Sequence, residues 1–225
     1  MSNLANKTVF GCTLLITVLG ILLLAPAWTL DYWQAWVYLV IFAASAALIS
    51  AYLWKNDPKL LERRINAGPG AEKQTRQKLI QLLASLAFIG AMIVPSLDHR
   101  FSWSAVPLPV VVTGDLLVAL GFLIVFRVFK ENTFTAATIT VTPGQKVVST
   151  GPYAVVRHPM YSGALVMLLG TPLALGSWWG LLMFIPMVFT IAWRARDEER
   201  FLFKYLSSYQ EYCQAVRYRL MPFVW

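Results

Sequence analysis

Four apolar runs, each long enough to cross a bilayer once, and a fifth stretch too long to cross only once confine this chain to a polytopic membrane fold. The four cover about residues 9–28, 34–54, 79–97 and 106–129; roughly 20 apolar residues suffice to span a hydrocarbon core. The fifth, residues 161–194, is almost uninterrupted. As a single helix it would be about 50 Å long, against a core of about 30 Å. Gly176-Ser177 near its middle therefore predicts a tight hairpin of two helices. Lipid offers the backbone no hydrogen bonds, so the spans are helical. The expected fold class is all-α, a polytopic membrane bundle of five or six transmembrane helices. Composition agrees, with 58% hydrophobic and 13% charged residues, where soluble domains average about 45–50% and about 25%.

Residues 55–78 form the one substantial hydrophilic segment, in which Lys55, Lys59, Arg63, Arg64, Lys73, Arg76 and Lys78 outweigh three acids. The positive-inside rule makes it cytoplasmic. Six spans then put both termini inside, and the outer loops carry only Arg100. The net charge of +8 follows from this bias and from attraction to anionic lipid, not from nucleic-acid binding. Residues 59–65 are expected as a short interfacial helix, ended at Ala67-Gly68-Pro69-Gly70. D-H-R-F-S-W, residues 98–103, reads as a small outer loop. Ala25-Pro26-Ala27 resembles a signal-peptidase site, but only Lys7 precedes a run long enough to span, and a retained helix is expected. Two isolated cysteines, Cys12 and Cys213, and two histidines, His99 and His158, suggest neither a disulfide nor a metal site. Asp115, inside the fourth run, is a functional candidate because ionisable groups are costly at membrane depth. The plainer alternative is a carboxylate hydrogen-bonded between helices.

Polar chemistry gathers in residues 145–163, Q-K-V-V-S-T-G-P-Y-A-V-V-R-H-P-M-Y-S-G. Gly151-Pro152 and His158-Pro159 turn the backbone away from regular helix. Irregular backbone beside a bilayer must be covered by protein or line a watery cavity, and Tyr153, Arg157, His158 and Tyr161 would face such a cavity. Upstream, T-I-T-V-T at residues 138–142 alternates as an extended strand would. The hairpin brings the R-H-P-M-Y-S-G entrance beside the W-R-A-R-D-E-E-R exit. Arg194 and Glu198, four apart on one helix, share a side; Glu199 points elsewhere.

Together, G-x-Y-x-x-x-R-H-P-x-Y-x-G, the apolar hairpin, E-E-R and a tail containing R-Y-R-L-M-P-F resemble one family. It is that of the isoprenylcysteine carboxyl methyltransferases and related phospholipid N-methyltransferases, integral membrane enzymes that use S-adenosylmethionine. The resemblance covers about residues 130–225, including the tyrosine-rich S-S-Y-Q-E-Y-C; the first four spans match only in being hydrophobic. It implies transmembrane helices over 1–129 and a catalytic region over 130–225, with a cofactor loop, a helical hairpin, a C-terminal amphipathic helix and a cytoplasmic pocket. It further implies that Gln145, Val147 and Val148 line the cofactor and that Tyr153, Arg157, His158, Pro159, Tyr161 and Glu199 contact it. By the same resemblance Glu198 closes the pocket and Arg194 stands near the methyl acceptor as its orienter. Thr138 is a further candidate ahead of the loop. Gln145 departs from the family, in which the prenylcysteine enzymes usually carry histidine.

These residue types suit methyl transfer on chemical grounds. Attack on a sulfonium is an in-line displacement in which positive charge disappears. A carboxylate or thiolate acceptor needs alignment and desolvation, and an amine must first be neutral. Tyrosines can stack on adenine, glutamate can accept from hydroxyl or ammonium groups, and arginine can hold a carboxylate. The expected activity is methyl transfer to a lipophilic or membrane-associated acceptor: an isoprenylcysteine-type carboxylate, a lipid amine or a small thiol. The expected partners are therefore membrane lipid and a lipophilic or lipid-modified substrate. Two other classes compete. NADPH-dependent sterol and steroid reductases resemble the same C-terminal hairpin, and a non-catalytic lipid-binding or transport protein would be marked by internal repeats, which this sequence lacks.

Overall fold

The structure, a computed structural model, describes residues 2–65, 70, 72, 74–135, 137–138 and 144–225. Among these are eight α-helices and no strand. In chain order they are α1 (Ser2–Ala27), α2 (Trp33–Asn56), α3 (Pro58–Ile65), α4 (Thr75–Phe101), α5 (Leu108–Glu131), α6 (Pro159–Ala174), α7 (Phe184–Tyr205) and α8 (Tyr209–Ala215). Four of them, α1, α2, α4 and α5, are long and apolar enough to cross a membrane. The protein is an integral membrane protein by this measure. Large apolar side chains such as Phe10, Ile21, Leu48, Leu116 and Leu120 are exposed, as lipid-facing residues are. Leu19, Leu23, Tyr38, Phe42, Met92, Val118 and Leu175 form the main core between the helices.

Local chemistry sets the boundaries. α1 carries Pro26 in its last turn, and the chain leaves the helix at Trp28 with φ 57°. Asp57 caps the interfacial helix α3, its Oδ1 accepting from the Leu60 amide at 3.0 Å; Leu60 and Leu61 are buried beneath that helix. The outer loop expected at residues 98–103 is instead largely helical, because α4 continues through Phe101 and ends at Ser102 with φ 53°. Asp98 makes this possible. It is fully buried and accepts from the Ser104 amide at 2.7 Å, from Ser104 Oγ at 2.6 Å and from Ser177 Oγ. The carboxylate thus satisfies the chain beyond the helix from within its last turn. The turn expected at 67–70 and the strand expected at 138–142 lie almost wholly outside the described residues.

The hairpin is present. α6 ends at Ala174, Gly176 takes φ 71°, and a 3-10 turn (Trp179–Met183) leads into α7. α6 owes its position to glycine. Gly114 and Gly121 lie two turns apart on α5, and Gly163 and Gly170 lie two turns apart on α6. A Cβ at Gly121 would stand 2.7 Å from Gly163 O, and one at Gly170 would stand 2.7 Å from Gly114 O. The antiparallel backbones therefore touch directly, as close-packed membrane helices do through small residues. This pairing fixes the start of α6 beside the end of α5, where the polar residues gather. Asp115, next to Gly114, is half-buried; its Oδ1 has no hydrogen-bond partner among the described residues.

Candidate active site

One end of the bundle holds an open cavity lined by polar and aromatic side chains. Four pieces build it: the segment after α5, a 3-10 turn at Gly151–Ala154, the start of α6, and α7 with α8. Pro152 and Pro159 punctuate the second and third, and the C-terminal tail holds them in place. Arg157 N donates to Tyr218 O and His158 N to Arg219 O, each at 2.9 Å. These two bonds occupy amides that the pre-proline geometry leaves outside the helix.

The tyrosines are anchored individually. Tyr153 Oη accepts from Asn132 Nδ2 at 3.0 Å, and Tyr212 Oη donates to Tyr153 O at 2.7 Å. The ring of Tyr161 stacks on His158 with centroids 5.6 Å apart. Burial pushes the phenols of Tyr153, Tyr209 and Tyr212 above their ordinary range, so they stay protonated donors at neutral pH. Tyr209 is 4% exposed, lines the cavity, and its hydroxyl has no partner among the described residues.

Helical spacing separates the two glutamates. Glu198 lines the cavity with its side chain 27% exposed and accepts from Tyr161 Oη at 2.7 Å. Glu199 turns behind the wall. It meets Arg157 Nε at 3.0 Å, His158 Nε2 at 3.3 Å and Arg219 Nε at 2.8 Å. Glu199 sits on the stretch of α7 beyond its apolar part. Burial there would raise its carboxyl, but hydrogen bonds from His158 and Arg219 and the charge of Arg157 hold it below the usual glutamate value. Expected as a cofactor contact, Glu199 does not line the cavity. The physical reason is the roughly 100° turn between successive helical residues, which gives it three basic partners instead.

Arg194 does line the cavity, yet it is 9% exposed and its nitrogens are engaged within the protein by Tyr161, Glu72, Gln77, Gln81 and the Ala137 carbonyl. Orienting an acceptor through Arg194 would require exchange of one of these bonds. Gln145, Val147, Val148, Tyr153, Arg157, His158, Pro159, Tyr161 and Thr138 all face the same cavity. The expected pocket stretches, 130–163 and 194–215, also supply lining residues that sequence reasoning did not single out, among them Asn132, Phe134, Leu202, Leu206, Tyr209 and Tyr212. The last two carried a signal, since Tyr209 and Tyr212 recur at helical spacing in a short segment after the last span.

A sequence model of the phospholipid methyltransferase family matches residues 109–208, slightly under half of the chain. Delta(14)-sterol reductase TM7SF2 of Mus musculus is 33% identical over 137 residues, 53% of this chain and 33% of that protein. The Delta(14)-sterol reductase of Arabidopsis thaliana is 30% identical over 129 residues, 52% of this chain and 35% of that protein. The chain spans about a third of the length of these curated relatives. The similarities thus lie with proteins named for two chemistries. This chain is similar in part to the phospholipid methyltransferase family and in part to the sterol reductases.

Proposed function

We propose that the protein is a membrane methyltransferase that binds S-adenosylmethionine in the cavity and methylates a lipophilic acceptor arriving from the bilayer. Charge carries this reading. Arg157 and Arg194 are paired with Glu199 and Glu72, whereas Glu198 is open to the cavity. Lys146 is the one lining cation with no carboxylate partner among the described residues. Such a wall suits a zwitterion bearing a sulfonium and an ammonium group. A phosphorylated dinucleotide would call for several uncommitted cations. The unpartnered Tyr209 hydroxyl adds a donor for which a bound nucleoside or carboxylate would be the acceptor.

Bound there, S-adenosylmethionine would supply an electrophilic methyl group. Glu198 accepts hydrogen bonds from ammonium or hydroxyl groups, and Tyr153 and Tyr161 offer aromatic faces to a base. Val147, Val148, Leu202 and Leu206 add an apolar lining, which would keep water from the reacting atoms. Prenylcysteine carboxylates, lipid amines and small thiols are the acceptor classes compatible with this arrangement. In this reading α6 and α7 add a fifth and sixth span, residues 130–225 are the catalytic region, and the basic 55–78 segment puts the cavity and both termini on the cytoplasmic side.

The names of the relatives favour a second reading, an NADPH-dependent sterol-type reductase using the same cavity. Incubation of purified protein with methyl-labelled S-adenosylmethionine and membrane lipid extract distinguishes the two. Label in the lipid phase is the expected result. An unlabelled lipid phase, with NADPH consumed on a sterol substrate, would replace the first reading by the second.

A further inference from the structure

Gln77 and Gln81 lie on the first turns of α4, more than a hundred residues from Arg194 along the chain, yet they reach it. A guanidinium has five N–H groups and no acceptor. Arg194 Nε donates to Tyr161 Oη at 3.1 Å, and Nη1 donates to Gln77 Oε1 and Gln81 Oε1, each at 3.1 Å. Nη2 donates to Glu72 Oε1 at 2.7 Å and to Ala137 O at 2.9 Å. All five are used. Because Tyr161 Oη accepts from Arg194, its own hydrogen goes to Glu198 Oε2. The hydrogen bonds therefore diverge from Arg194, which donates to the α4 glutamines on one side and to Tyr161 on the other, and Tyr161 donates in turn to the carboxylate facing the cavity.

Gln77 is 1% exposed, and its two amide atoms have distinct tasks. Its Oε1 must face Arg194, which cannot accept, and its Nε2 donates to Asp197, which cannot donate. Arg76 adds a second donor to Asp197 at 3.3 Å. Glutamate at 77 would set a carboxylate against Asp197, and a hydrophobic residue would leave Oδ2 of the buried Asp197 and a guanidinium N–H without partners.

We propose that Gln77 and Gln81 are positioning residues: they lock the orientation of Arg194 so that Tyr161 loads one oxygen of Glu198 and leaves the other to receive the donor-bearing part of the ligand. The inference rests on the methyltransferase reading for the identity of the ligand, and its geometry is independent of that reading.

A double-mutant cycle tests it, with affinity for S-adenosylhomocysteine read by calorimetry on purified protein and melting temperature recorded beside it. Gln77→Ala and Tyr161→Phe each cut the same chain of bonds. Each should weaken binding roughly 3- to 10-fold, the worth of one buried hydrogen bond, and the double variant should be no weaker than the worse single one. Gln77→Glu should fail to restore binding, although it keeps the length of the side chain. Multiplying effects in the double variant, or full affinity in Gln77→Ala, would overturn the proposal, because a merely structural role for Gln77 lowers the melting temperature without coupling to Tyr161. If the wild type binds NADPH and not S-adenosylhomocysteine, the methyltransferase reading falls and the same cycle is scored on NADPH. If neither binds, both fall.

Discussion

Each end of the bundle carries a carboxylate among its polar groups, and the two carboxylates are used differently. Asp98, at the end away from the cavity, is 1% exposed and accepts from Ser104 and Ser177 alone. Tyr32 beside it stacks on His99 and donates to Leu175 O at 2.7 Å. Polar groups there staple α4, the hairpin turn and the α1–α2 connection, with Gln34 Oε1 beside Gly176 the atom left without a partner among the described residues. At the other end Glu198 is partly open, Tyr209 has an unmatched hydroxyl, and the charges of Arg157 and Arg194 are already neutralised by residues behind the wall. Both ends are rich in buried polar atoms. What sets the second apart is an open volume lined by a partly exposed carboxylate and an unmatched hydroxyl, not the presence of charge.

Breaking the end away from the cavity should produce the largest change in stability. Asp98→Ala removes three accepted hydrogen bonds and orphans buried serines, which costs about 3 kcal/mol. Thermal melting in detergent should fall by several degrees, while calorimetry on the folded fraction should find ligand affinity unchanged. At the open end the balance reverses. Glu198→Gln should weaken S-adenosylhomocysteine by about 10- to 150-fold, the worth of a charge-assisted bond of roughly 1.5–3 kcal/mol, with little change in melting. Loss of stability without loss of affinity in that variant would make the two ends alike and remove the distinction.

A subtler contrast concerns Tyr209. Tyr209→Phe should weaken the same ligand roughly 3- to 10-fold, yet leave the ligand-free melting temperature unchanged or raised, since an unpartnered buried hydroxyl is itself costly. A drop in melting temperature with unaltered affinity would place the hydroxyl among structural groups.

How far these two ends can be read in the sequence follows from the range of the interactions. The spans and the hairpin were legible because lipid forces helices and Gly176-Ser177 interrupts an overlong run. Much of the cavity lining was legible because prolines and glycines concentrate the polar residues between two spans. The helical extension through Phe101 was not, because Asp98 is capped by Ser104 and by Ser177, which lies far along the chain. Nor was the saturation of Arg194. Its partners Glu72, Gln77 and Gln81 sit in a hydrophilic segment and the start of a span, where charged and amide side chains are unremarkable by composition. Glu199 shows the limit of adjacency: one residue from Glu198, it belongs to a different wall.

The smallest effect is on acid stability. Glu199 titrates below the usual glutamate value in the folded protein, so the unfolded chain binds the proton more readily and stability rises with pH through that window. The contribution is fully present above the ordinary value of about 4.5 and is lost as pH falls through the lowered folded one. Melting temperature should therefore decline below about pH 5, and Glu199→Gln should flatten that decline. An identical slope in the variant would assign acid sensitivity to other groups.

The central claim is that the open end receives a zwitterionic, methyl-donor type of ligand and not a phosphorylated dinucleotide. The most direct measurement is the melting temperature of the detergent-purified protein titrated in parallel with S-adenosylhomocysteine and with NADPH, because a ligand that binds only the folded state raises it in proportion to occupancy. The account predicts a saturable rise of several degrees with S-adenosylhomocysteine, abolished in Glu198→Gln, and none with NADPH. A saturable rise with NADPH and none with S-adenosylhomocysteine would contradict it.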